Sequence, residues 1–125
     1  MTRILLAEDE QAMREYLTRA LEKSGYDVVA VDRGTYAAPL LESEHFDLLL
    51  TDIVMPEMDG IELAQLCARV APHTQVMFIT GFSGVTLRAG QSMPNAKILS
   101  KPFHLKDLVL EVERMFNKES ASSLN

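Results

Sequence analysis

Short apolar runs alternate with stretches of helical periodicity along the whole chain. Residues 4–7, Asp27–Val31, 48–51, 76–80 and 97–99 read as strands. The first, third and fourth are continuous apolar runs, as strands covered on both faces require, while the second and fifth look more like sheet edges. Between them, Met13, Leu17, Ala20 and Leu21 recur at helical spacing before Gly25, where that helix should end. A second, weaker helix is expected around residues 35–41. A third should run from Gly60 to Val70, with Pro72 stopping it, and Asp59 and Gly60 should open it. Leu105, Leu108, Val109, Val112, Met115 and Phe116 give the last helix a clear apolar stripe. The stretch from Phe82 to Asn95 is punctuated by Gly84, Gly90 and Pro94, so any helix there should be short or mobile. This alternation predicts repeated βα units around a parallel sheet, an α/β fold. Residues 1–117 form the expected domain. The serine-rich stretch 118–125 lacks apolar periodicity and reads as a polar, disordered tail.

Composition narrows the function more than the fold. The length of 125 residues suits one domain and leaves no room for a second module. A net charge of -6, with no long basic cluster, speaks against DNA or other nucleic-acid binding, which relies on basic side chains displacing counterions. Cys67 is the single cysteine, so an intrachain disulfide, a CxxC redox site and a cysteine-rich zinc site are all excluded. A reducing cytoplasm is the expected location. The apolar start at residues 4–7 meets Glu8, Asp9 and Glu10 too early for a signal peptide, and no run is long enough for membrane insertion.

In a parallel βα sheet, ligands bind beyond the carboxyl ends of the strands, so polar residues directly after the apolar runs are the candidates for chemistry. The first run leads into Glu8 and Asp9 and the third into Asp52. The fourth ends at Thr80, and the fifth leads through Ser100 to Lys101 and Pro102. Carboxylates crowded on one rim repel one another unless a cation neutralises them, and Mg2+ is the hard, oxygen-loving ion that suits such a set. With Mg2+ in place, Asp52 can act as a carboxylate nucleophile forming an aspartyl phosphate. The Lys101 ammonium and the Thr80 hydroxyl can then hold the phosphoryl oxygens. Singly, each of these residues has a plain structural reading as a loop carboxylate, a strand-end hydroxyl or a surface lysine; their joint placement at strand ends is what favours a site. His45, His73 and His104 lack metal-ligand spacing and read as surface residues. Cys67, Met55 and Met58 read as packing. Arg14, Arg19 and Lys23 read as a solvated helix face that could also meet a kinase.

The set of ED at Glu8 and Asp9, TDIVMPEMDG around Asp52, Thr80, and KPF from Lys101 resembles response-regulator receiver domains over the first 117 residues or so. The resemblance implies a flavodoxin-like doubly wound (βα)5 sandwich with a five-stranded parallel sheet in the order 2-1-3-4-5. That order comes with the family, since the pattern of apolar runs does not by itself set which strand lies beside which. The resemblance also implies a signalling protein rather than an enzyme, one that assists its own Mg-dependent phosphorylation and dephosphorylation. Glu8, Asp9 and Asp52 would bind Mg2+ together with the Val54 backbone carbonyl. Asp52 would be phosphorylated by a histidine kinase or histidine phosphotransfer protein, Thr80 and Lys101 would couple phosphorylation to a surface change, and the Lys101–Pro102 bond would be cis. The stretches LLAEDE, LLLTDIVMPEMDGIELA, FITGF and KILSKPFHL further resemble alphaproteobacterial single-domain regulators of the cell cycle. That likeness implies an adaptor for the ClpXP protease, active when unphosphorylated.

The sequence departs from the family pattern at Ile98, where a switch tyrosine or phenylalanine is usual, and at Gly81, where alanine is common. Backbone movement over residues 81–97 is therefore expected to carry the switch. A phosphohydrolase with an aspartyl nucleophile would need an acid two residues after Asp52, where Val54 stands. A flavodoxin-like nucleotide-binding module would need a phosphate cradle where the first βα loop offers Glu8, Asp9 and Glu10. A phosphorelay carrier or chemotaxis-type switch stays open beside the adaptor.

Overall fold

Parity along the apolar runs explains the architecture. The computed structural model describes residues 1–81, 93 and 96–123, with the backbone alone from 117 onward. In chain order the elements are β1 (Arg3–Ala7), α1 (Gln11–Lys23), β2 (Asp27–Val31), α2 (Gly34–Ser43), β3 (Leu48–Asp52), α3 (Gly60–Val70), β4 (Gln75–Thr80), β5 (Lys97–Ser100) and α4 (Leu105–Ser123). Every strand pair is parallel and the sheet order is β2-β1-β3-β4-β5. The two more polar strands are indeed the edges.

Successive side chains on a strand point to opposite faces, so continuous apolar runs feed two cores at once. On one face Ile4, Leu6, Leu48, Leu50, Met77 and Ile79 pack with Leu17 and Leu21 of α1 and Leu108 and Val112 of α4. On the other, Leu5, Ala7 and Leu49 meet Ala37 and Leu41 of α2 and Leu63 and Cys67 of α3. Helices on both faces of one parallel sheet make the fold doubly wound.

Local signals account for the end of α1 and the start of α3. Gly25, just past α1, has φ of +97°, a conformation in which glycine carries no Cβ penalty. Asp59 caps α3 through a reciprocal pair: its side chain accepts from the Glu62 N–H at 2.9 Å, and its own N–H donates to the Glu62 carboxylate at 3.2 Å. Helix α2 runs beyond its expected core and carries Pro39 inside it, which explains its weak sequence signal.

The last helix is longer than the apolar stripe that marks it in the sequence. Helix α4 continues to Ser123, whereas the sequence pattern predicts a disordered tail after Asn117. Extending an existing helix costs far less than starting one, and Lys118, Glu119 and Ala121 are good helix formers. The helix expected between Phe82 and Asn95 lies almost wholly outside the described residues.

Register then aligns the strand ends. Ala7 pairs with Thr51, Asp52 with Ile79, and Thr80 with Ser100. Glu8, Asp52, Thr80 and Lys101 consequently leave the sheet at one edge, on adjacent strands.

Candidate functional site

Residues that stand far apart in the chain meet at this rim. Glu8, Asp9 and Asp52 each offer a carboxylate oxygen, and the three oxygens lie within 4.8 Å of one another. Lys101 places its Nζ 3.4 Å from Asp52 Oδ2 and 3.5 Å from Glu8 Oε1. Thr80 is buried at the end of β4, its carbonyl accepting the Lys101 N–H at 2.7 Å. The Lys101–Pro102 peptide bond is cis.

Glu8 is the unusual member. It is fully buried, yet its Oε1 has no hydrogen-bond partner. Its Oε2 accepts from the Glu10 N–H at 3.0 Å. Burial, reinforced by the Asp52 charge, pushes the Glu8 carboxyl up from 4.5 to about 7, against the opposing pull of the Glu10 N–H and of Lys101. Burial works against the Lys101 ammonium, but Asp52 and Glu8 outweigh it and raise its pKa. Lysine thus supplies part of the positive charge that three converging acids demand.

The donor set is all oxygen, and no histidine or thiolate joins the cluster among the described residues. Three carboxylates, one of them with a buried oxygen that accepts no hydrogen bond and has only the 3.5 Å ion pair to Lys101, fit a hard divalent cation. A buried carboxylate oxygen without a hydrogen bond is costly in a structural role and useful in a ligand.

The other expected residues fall around this centre. Val54 follows Asp52 by two positions and its side chain is exposed. Ile98 is partly buried and packs against the cluster of Ile53, Ile61, Ala64 and Phe78. His45, His73 and His104 are all exposed, and Cys67 is fully buried, with its thiol pushed up to about 11 by burial. Arg14 behaves differently from the solvated-face reading: its guanidinium donates to the Glu8 carbonyl at 3.0 Å. The available signal was its position, one turn into the helix that follows the β1 acids.

The comparisons with known proteins agree with this geometry. Residues 4–113 match the response regulator receiver domain. The chain belongs to this family. This receiver is 57% identical over 116 residues to the response regulator receiver protein CpdR of Brucella abortus (strain 2308), covering 92% of this chain and 97% of that one. Among solved structures it is similar to a CheY-like receiver domain protein from Methanospirillum hungatei, with a TM-score of 0.87, 24% identity and 98% of both chains covered. It is also similar to the response regulator TrrA of Thermotoga maritima in complex with Mg(2+)-BeF, with a TM-score of 0.83, 28% identity, and 93% of this chain and 100% of that one covered. No helix among the described residues of the receiver is long and apolar enough to cross a membrane.

Proposed function

We propose that this receiver is a Mg2+-dependent phosphorylation switch with Asp52 as its acceptor. The observation that carries the reading is the convergence of the Glu8, Asp9 and Asp52 oxygens within 4.8 Å, with Lys101 Nζ 3.4 Å from Asp52. An Asp52 carboxylate oxygen forms a bond to phosphorus as the bond from phosphorus to the donor imidazole of a kinase or phosphotransfer protein breaks, and the imidazole leaves with the electron pair. Glu8, Asp9, Asp52 and the Val54 carbonyl would hold Mg2+, which when bound neutralises charge on the phosphoryl oxygens. Lys101 is close enough to pass from Asp52 to an incoming phosphoryl oxygen, and Thr80 stands at the next strand end to donate from its hydroxyl. The Mg(2+)-BeF complex of TrrA, a structure of the same fold, supports Mg2+ as the ion here.

Incubation with acetyl phosphate, followed by intact mass, tests the chemistry. One phosphoryl addition should appear with Mg2+ and be absent in EDTA and in Asp52→Asn. An addition indifferent to Asp52 would overturn the reading.

The output is protein binding controlled by phosphorylation. The identity to CpdR along nearly its whole length favours a cell-cycle adaptor role toward ClpXP, active when Asp52 is unphosphorylated, over a phosphorelay carrier or a chemotaxis-type switch. Immobilised ClpX should retain the unphosphorylated protein and release it on phosphorylation. Equal retention of both forms would sink the adaptor reading and leave the acceptor chemistry standing.

A further inference from the structure

Glu8 is held at every polar atom but one. Its N–H donates to the Val31 carbonyl at 3.1 Å, which ties it to β2. Its side-chain Oε2 accepts from the Glu10 N–H at 3.0 Å. Its carbonyl accepts from the Arg14 guanidinium at 3.0 Å. The remaining atom, Oε1, is buried without a hydrogen bond and faces Lys101 and, through it, Asp52. Three contacts thus fix the residue so that one oxygen is presented to the rim.

Of these three, the contact from Arg14 is the one made by a side chain. Arg14 is partly buried on the first turns of α1, where its own N–H donates to the Glu10 carbonyl at 2.9 Å. It therefore ties both the helix and its side chain to the β1–α1 loop that carries all the acids of the first strand end. Its charge also acts on Asp32, just past β2, whose carboxyl lies below its ordinary value chiefly through the Arg33 fork, with Arg14 contributing. Arg14 thus acts on residues at both the β1 and β2 ends, Glu8 and Asp32.

We propose that Arg14 is a positioning residue for the cation site: by holding the Glu8 carbonyl, it fixes the oxygen that Glu8 offers to the ion. The proposal rests on the Mg2+ reading of the acidic cluster given above. Partners behind a metal ligand commonly contribute about 10–100-fold in affinity, because they fix the ligand's orientation before the ion arrives. A backbone carbonyl fixed by a guanidinium is one step further from the ion, so the lower end of that range, about tenfold, is expected.

The test is Mg2+ titration of the full chain by calorimetry for wild type, Arg14→Ala, Arg14→Gln and Arg14→Lys, beside thermal melts in EDTA. Arg14→Ala should weaken Mg2+ binding about tenfold while its EDTA melt stays close to wild type, and Arg14→Lys should recover part of the loss. In acetyl phosphate labelling, Arg14→Ala should need correspondingly more Mg2+ for half-maximal yield and reach the same yield once the ion saturates. Unchanged or tighter binding in the variants, with a normal wild type, would overturn the role of Arg14 and leave the switch reading intact. Should Arg14→Ala not fold, Arg14→Gln decides by the same comparison. A wild type that binds no Mg2+ would instead overturn the switch reading, and this inference with it.

Discussion

At the scale of single residues, Glu8 sets how the domain responds to pH. In the unfolded chain its carboxyl ionises near 4.5, and in the fold only near 7, because burial and the Asp52 charge both disfavour the ionised form. Between those values the unfolded state gives up a proton that the folded state keeps, so raising the pH removes stability from the folded state. The metal-free protein should therefore melt at progressively lower temperature from about pH 5 to about pH 7 and level off above. Glu8→Gln, which cannot ionise, should flatten that decline and melt above wild type at pH 8 in EDTA. Parallel melting curves for the two proteins would show that Glu8 is not responsible. Because a cation takes the place of the proton, Mg2+ should stabilise wild type more at pH 8 than at pH 6, and Glu8→Gln should lose most of that difference. A residue's presence at the rim was readable from its place after an apolar run. Its burial and the oxygen left without a hydrogen bond were not, since they depend on what other strands bring beside it.

Among the elements, the start of α3 holds the loop that follows Asp52. A Cβ built at Gly60 would overlap the Asp52 carbonyl oxygen and come within 2.9 Å of Ile53 Cα, so the helix can approach the strand this closely only with glycine there. Both obstructing groups are backbone and cannot swing aside. Gly60→Ala should cost about 3 kcal/mol or more in urea denaturation, as overpacking against backbone does. Asp59→Ala removes a capping side chain from the same turn and should cost about 1 kcal/mol. Equal losses from the two would mean that the close approach is not what constrains this turn. The Asp-Gly pair marked this helix start in the sequence, and the reciprocal cap with Glu62 explains why the boundary was legible. The end of α4 was not legible: periodicity reports burial, and a helix can run on past the last residue it buries.

For the molecule as a whole, the central strands carry the load. Leu50 of β3 is fully buried, within the cluster that α1 and α4 cover, so Leu50→Ala should cost roughly 2–5 kcal/mol through lost burial and the cavity left behind. Val28 sits on edge strand β2 and is only partly buried, and Val28→Ala should cost clearly less. Urea midpoints for the two variants check the ordering, and a larger loss at Val28 would contradict the layered core. Strand and helix identities, the turn glycine Gly25 and the candidates Glu8, Asp9, Asp52, Thr80 and Lys101 were all available in the chain, because hydrophobic period and punctuation are local properties of a sequence window. The strand order came from resemblance to a family, not from the pattern itself. What brings Lys101 to 3.4 Å from Asp52, and Arg14 to the Glu8 carbonyl, is the register of parallel strands and the packing of α1 across them. No local window contains those distances: they exist only once apolar side chains on both faces have fixed which strand lies beside which, and at what offset.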